Sequence, residues 1–130
     1  LPGGDAGAEV ALDAWVEMIA HNQRHPDGVA LYTAMSAAVI DADHQAHPWF
    51  RQHLMSAIAY LVDALERGKM TGEVRADAPS EQIARKLVAL SDGLQVQWLC
   101  ARVDGGGEVD MRGVTAGVVA DVKDRWLVRS

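Results

Sequence analysis

Apolar residues return at three- and four-residue spacing through five separate stretches of this sequence, and no β-branched run alternates with polar residues between them. A period of three to four gathers side chains on one side of a helix, whereas a half-buried strand needs a period of two. The chain is therefore expected to be all-α. With 130 residues, 49% of them apolar, it is long enough to enclose one hydrophobic core, and residues 1 to 130 are read as a single domain.

The first stretch, Ala8 to His25, sets Ala11, Leu12, Trp15, Val16 and Ile19 opposite Glu9, Asp13 and Glu17. It is expected to break at His25-Pro26-Asp27-Gly28, because a proline disfavours helical geometry in the residue before it. A second helix, Val29 to Asp41, groups Tyr32, Met35, Ser36, Val39 and Ile40, and its other positions are so small or apolar that burial on most sides is expected. Pro48 is placed to open a third helix running to Lys69, with the stripe Phe50, Leu54, Ile58, Leu61 and Leu65. Its length would be roughly 33 Å at about 1.5 Å per residue, which suits a spine.

Gly68 and Gly72 end that helix, and Pro79 opens a fourth reaching Ala101, striped by Ile83, Leu87, Leu90, Leu94 and Trp98. A glycine run, Gly105 to Gly107, links it to a last helix with Asp110 as N-cap and Met111, Val114, Val118, Val122 and Trp126 along one face.

Charge and composition exclude several functions. A net charge of −6 has the wrong sign for gripping a phosphate backbone, which depends on clustered Lys and Arg. Apolar stretches such as Ala57 to Val62 are far shorter than the roughly 20 residues a membrane span needs, so no membrane partner is expected. Cys100 is the only cysteine, which rules out an internal disulfide and favours a reducing, cytoplasmic setting. Leu1 to Ala8 carry no initiator Met, basic segment or apolar signal core, and are expected to be the start of a fragment.

Three features in order point to a family: Gly68-Lys69-Met70-Thr71-Gly72-Glu73-Val74-Arg75-Ala76-Asp77, then Glu81 to Leu90, then Ser91-Asp92-Gly93-Leu94-Gln95-Val96-Gln97-Trp98-Leu99. This pattern resembles the C-terminal regulatory domain of TetR-family transcriptional repressors, and the five-helix layout extends the resemblance from about Val10 to Leu127. The resemblance implies a homodimer whose fourth and fifth helices pack against their mates as a four-helix bundle. It also implies a small apolar or aromatic effector, and operator DNA contacted only through an N-terminal helix-turn-helix head. No basic helix pair of that kind occurs among residues 1 to 28.

On this reading the expected effector pocket lies between the second, third and fourth helices, lined by Tyr32, Met35, Trp49, Phe50, His53, Leu54, Gln95 and Trp98. The expected interface comprises Leu87, Ser91, Gly113, Gly117, Val118 and Ala120, the glycines offering a low ridge for close approach. A contact inside one subunit is the alternative explanation of Gly93 and the same small residues, with the symmetric dimer the favoured one. The other functional reading is a helical interaction module that dimerises and binds no small molecule.

No enzyme, cofactor or metal site is expected. His21 and His25 stand one helical turn apart, and Asp41, Asp43, His44 and His47 cluster near His53, but a helix C-terminus and a polar loop explain both groups. Ser36, Ser56 and Ser91 lack a nucleophile-elbow motif, Cys100 reads as a small buried filler, and Gly105 to Gly107 follows a helix where a nucleotide fingerprint needs a strand. Asp63, Glu66, Asp121 and Asp124 read as solvated charge.

Overall fold

A small-residue N-terminus leads into α1, Ala8–Gln23, which buries Leu12, Trp15, Val16 and Ile19 and leaves Asp13 and Glu17 exposed. Its free N–H groups are met from a distant part of the chain: Ala8 N donates to Glu73 Oε1 at 2.6 Å and Glu9 N to Oε2 at 3.4 Å. A carboxylate there also opposes the positive end of the helix dipole. The computed structural model describes residues 1–129.

α2, Pro26–Met35, begins two residues after Arg24 caps α1. The expected break at Pro26 is thus a helix start, since proline's fixed φ and missing N–H suit the first turn. α2 also stops short of Asp41, and the chain tightens into a 3-10 turn, Ser36–Ile40. Burial on most sides does not occur: Leu31 is 64% and Ile40 90% exposed, while only Val29 and Ala38 are buried in this stretch. A short helix laid on the outside of a bundle touches it along one side, so its remaining apolar positions face out.

α3, His47–Thr71, buries Phe50, Leu61 and Leu65 and ends with Gly72 at φ 83°, a left-handed cap that glycine adopts without strain. α4, Ser80–Asp104, buries Ile83, Leu87, Leu94 and Trp98 and is capped by Gly105 at φ 65°. α5, Met111–Trp126, starts with the expected cap, Asp110 accepting from Gly113 N at 2.9 Å. Its buried positions are Met111, Thr115 and Val119. The expected stripe through Val114 and Val118 is displaced by one residue, for Val114 is 43% exposed and Val118 is half-buried.

α1 lies along α5 and α3, α3 lies along α4, and α2 rests on α4. One core runs through them, from Leu12, Trp15 and Ile19 to Leu61, Leu65, Leu87, Leu94 and Met111. A single antiparallel bridge, Val74 with Leu127, ties the α3–α4 connection to the end of α5, supported by Arg75 N to Trp126 O at 2.9 Å and Val128 N to Glu73 O at 2.8 Å. Among the described residues there is no strand longer than this bridge, and no helix is long and apolar enough to cross a membrane. The architecture is all-α.

Candidate functional site

The end of α1, the start of α2, the middle of α3 and the middle of α4 leave between them a cavity of about 450 Å³. That volume lies within the range of small-molecule sites, about 300–1,000 Å³. Its walls are mixed. Trp15, Met18, Ile19, Val29, Ala57 and Val88 supply apolar surface, and Tyr32, Ser91, Asp92, Gln95, His53, Asn22, His21 and His25 supply polar groups.

Those polar groups form an ordered set. Trp15 Nε1 donates to Ser91 Oγ at 3.0 Å, and the Ser91 hydroxyl donates in turn to Leu87 O at 2.8 Å. The Tyr32 hydroxyl donates to Asp92 Oδ1 at 3.2 Å. Three donors of the wall are therefore already committed, while among the described residues the Gln95 and Asn22 side-chain amides have no hydrogen-bond partner and keep both donor and acceptor atoms. Gln95 Oε1 is buried without a hydrogen-bond partner. Asp92 has neither a salt bridge nor a second hydrogen bond among the described residues.

Burial holds the Asp92 carboxyl above its ordinary 3.8, opposed by the Tyr32 hydrogen bond and the His53 ring. Burial and then the adjacent carboxylate push the Tyr32 phenol well above 10.0, which keeps it a donor. At the rim, His21 and His25 stack with ring centroids 4.2 Å apart, and His25 Nδ1 lies 2.9 Å from His21 O. The expected aromatic group does assemble: Tyr32 lies 5.0 Å from Phe50 and 5.1 Å from His53, and His53 stacks on Trp49 at 5.2 Å.

Only part of that group reaches the cavity. Tyr32, His53 and Gln95 line it, whereas Met35, Trp49, Phe50, Leu54 and Trp98 do not. Phe50 is buried beside Tyr32, Trp49 is half exposed on the outer side of His53, and Met35 and Leu54 are half-buried elsewhere. Trp98 is closed in by the core, with the Arg102 guanidinium 4.9 Å above its ring. The cavity lies one turn nearer α1 than the sequence suggests, because α1 supplies a wall and α2 starts three residues early. The sequence reading missed the other lining residues, Trp15 and Asp92 among them. A carboxylate at position 92, between Val88 and Gln95 on the inward side of a helix, was the available signal.

The expected interface residues divide as well. Leu87, 1% exposed, and Ser91, hydrogen-bonded to Trp15, belong to the interior of the chain and have no surface to offer a partner. Gly113 is explained by its own cap, since a Cβ there would run into the Asp110 carboxylate. Gly117 and Ala120 are exposed, Val118 is half-buried, and nothing lies within 4 Å of a Cβ built on Gly117 or Gly93. Their outward side is continued on α4 by Ala89, Val96, Cys100 and Val103. Cys100 is thus exposed, against the expectation of a buried filler, with Sγ 3.7 Å from Asp104 Oδ2. No group of three or more His, Cys, Asp or Glu side chains is placed to hold a metal among the described residues.

Comparison of the chain with protein-family models, with curated proteins and with solved structures finds no match.

Proposed function

We propose that this chain is a small-molecule sensing domain that pairs with a second copy of itself, the regulatory half of a TetR-type transcriptional repressor. The observation that carries the reading is the cavity between α1, α2, α3 and α4, because its walls combine apolar surface with the buried, unpartnered Gln95 amide oxygen and a half-buried Asp92 carboxylate held through one oxygen by Tyr32. Buried polar atoms left unsatisfied cost about 1–3 kcal/mol each; Tyr60, Ser80 and Thr115 also carry such atoms away from the cavity, so it is the cavity around Gln95 and Asp92 that supports the reading. In this reading operator DNA is contacted through a separate head, and the domain performs no catalysis.

Pairing draws support from the outer side of α4 and α5. Glycine inside a helix costs about 1 kcal/mol relative to alanine, and Gly93 and Gly117 have no contact within the chain that would require it. A second copy laid closely over this side supplies the reason, with Ala89, Gly93, Val96, Cys100 and Val103 at alternating four- and three-residue steps forming a seam like that of a coiled coil.

An effector that binds one arrangement of α1 to α4 more tightly than another shifts the population between them, and a coupling of about 1–3 kcal/mol changes operator affinity roughly 5- to 150-fold. Two measurements test the reading. Sedimentation equilibrium on wild type and Gly117→Leu is expected to give a dimer that dissociates on substitution. Trp15 lines the cavity, so a panel of small aromatic compounds is expected to include ligands that change tryptophan emission. A monomeric wild type removes the pairing, and a panel without ligands removes the sensing site.

A further inference from the structure

The chemistry of the cavity wall also defines what it accepts. We infer that the ligand is an organic cation, a two- or three-ring amine whose ammonium N–H groups donate to Asp92 while its rings lie against Tyr32 and the apolar wall. The inference rests on the cavity being a ligand site.

The donor accounting carries it. The indole N–H of Trp15, the hydroxyl of Ser91 and the hydroxyl of Tyr32 all have acceptors inside the protein. The uncommitted wall atoms include the second oxygen of Asp92, which can only accept when ionised, and the Gln95 and Asn22 amides, which offer donors as well as acceptors. A ligand that supplies donors satisfies the Asp92 oxygen, which a ligand that supplies only acceptors leaves unpaired. Charge points the same way. Asp92 is the sole carboxylate on the wall, and no Lys or Arg lines it to neutralise that charge or to receive an anion. An ammonium ion would complete the missing pair, and charge-assisted hydrogen bonds are roughly twice as strong as neutral ones.

Size and shape set the rest. An apolar cavity of about 150 Å³ holds one benzene, so about 450 Å³ with part of the space open to solvent suits two or three fused rings. The Tyr32 ring gives a flat face, which attracts cations as well as apolar surface. The titratable groups that face Asp92 are Tyr32 from α2, His53 from α3, and His21 and His25 at the end of α1 and its link to α2. Acid protonates Asp92, whose carboxyl burial already holds above its ordinary 3.8, so the binding of a cation weakens as pH falls.

The probe is aminoacridine, a three-ring cation, titrated calorimetrically into the full chain beside the anionic anthracene sulfonate. The cation is expected to bind at least about tenfold more tightly than the anion, a preference that shrinks as pH is lowered toward 4 and that Asp92→Asn reduces by about tenfold. Equal or better binding of the anion, or cation binding indifferent to pH and to Asp92→Asn, overturns the ligand class while leaving a sensing cavity. Failure of both probes and of the wider aromatic panel overturns the sensing site itself. The comparison of cation with anion on the unaltered chain holds even if Asp92→Asn fails to fold.

Discussion

Gly68 sits where α3 passes closest to the start of α1, and a Cβ at this position would overlap the Val74 side chain and come within 3.1 Å of Ala8 Cβ. Backbone and buried methyl groups cannot give way cheaply in a close-packed interior. Gly68→Ala is expected to destabilise the chain by about 1–3 kcal/mol, read from urea unfolding midpoints at unchanged slope. Five residues on, Glu73 caps α1 through Ala8 N and Glu9 N, and Glu73→Ala is expected to lower stability by about 1 kcal/mol. An effect under about 0.3 kcal/mol would mean that water replaces the carboxylate fully. The run Gly68 to Arg75 was legible in the sequence as a pattern, and the structure supplies its physics: a close crossing at Gly68, a left-handed cap at Gly72, a remote helix cap at Glu73 and a bridge at Val74. None of the long-range partners could be read from spacing alone, because Ala8 and Leu127 are far away in sequence.

The five helices themselves were legible from periodicity, and the errors fall where a helix is apolar on more than one side. On α5 the sequence allows a stripe at Val114 and Val118 or one at Met111, Thr115 and Val119, and the interior takes the second. On α4 it allows Leu87 and Ser91 or Ala89 and Gly93 to face outward, and the bulkier leucine and the serine that accepts from Trp15 go in. Small residues are left on the outside, and that arrangement distinguishes two explanations of Gly93 and Gly117. In the isolated chain, Gly117→Ala meets nothing within 4 Å and is expected to stabilise α5 by about 1 kcal/mol through helix propensity. If a second copy covers the site, Gly117→Leu weakens the dimer while the thermal stability of the dissociated chain stays level or rises. Sedimentation and thermal melting at high dilution read the two effects separately, and a dimer unaffected by Gly117→Leu would place the contact elsewhere.

At the scale of the molecule, one half-buried carboxylate links stability to the proposed function. The core is continuous from α1 to α5, and Asp92 lies half-buried at its edge without a salt bridge, an arrangement that lowers stability where the group is charged. The sign follows from the raised pKa. A folded chain whose Asp92 titrates above 3.8 holds that proton more tightly than the unfolded chain does. The penalty is therefore absent below 3.8, sets in as pH rises through the elevated value, and is complete above it. Asp92→Asn keeps an acceptor for the Tyr32 hydroxyl and removes the charge. The variant is expected to be more stable than wild type by roughly 0.5–1 kcal/mol at pH 7, a difference that fades as both proteins are acidified, measured by paired urea titrations across pH. All other carboxylates are common to the two chains, so the difference isolates position 92. A site that binds a cation would reverse the order on adding ligand at neutral pH, because wild type gains about 2.7 kcal/mol at a ligand concentration 100 times Kd and the variant gains less. A variant less stable than wild type at pH 7 would instead identify Asp92 as a structural acceptor whose charge the fold requires, and no trade between stability and binding would exist at this position.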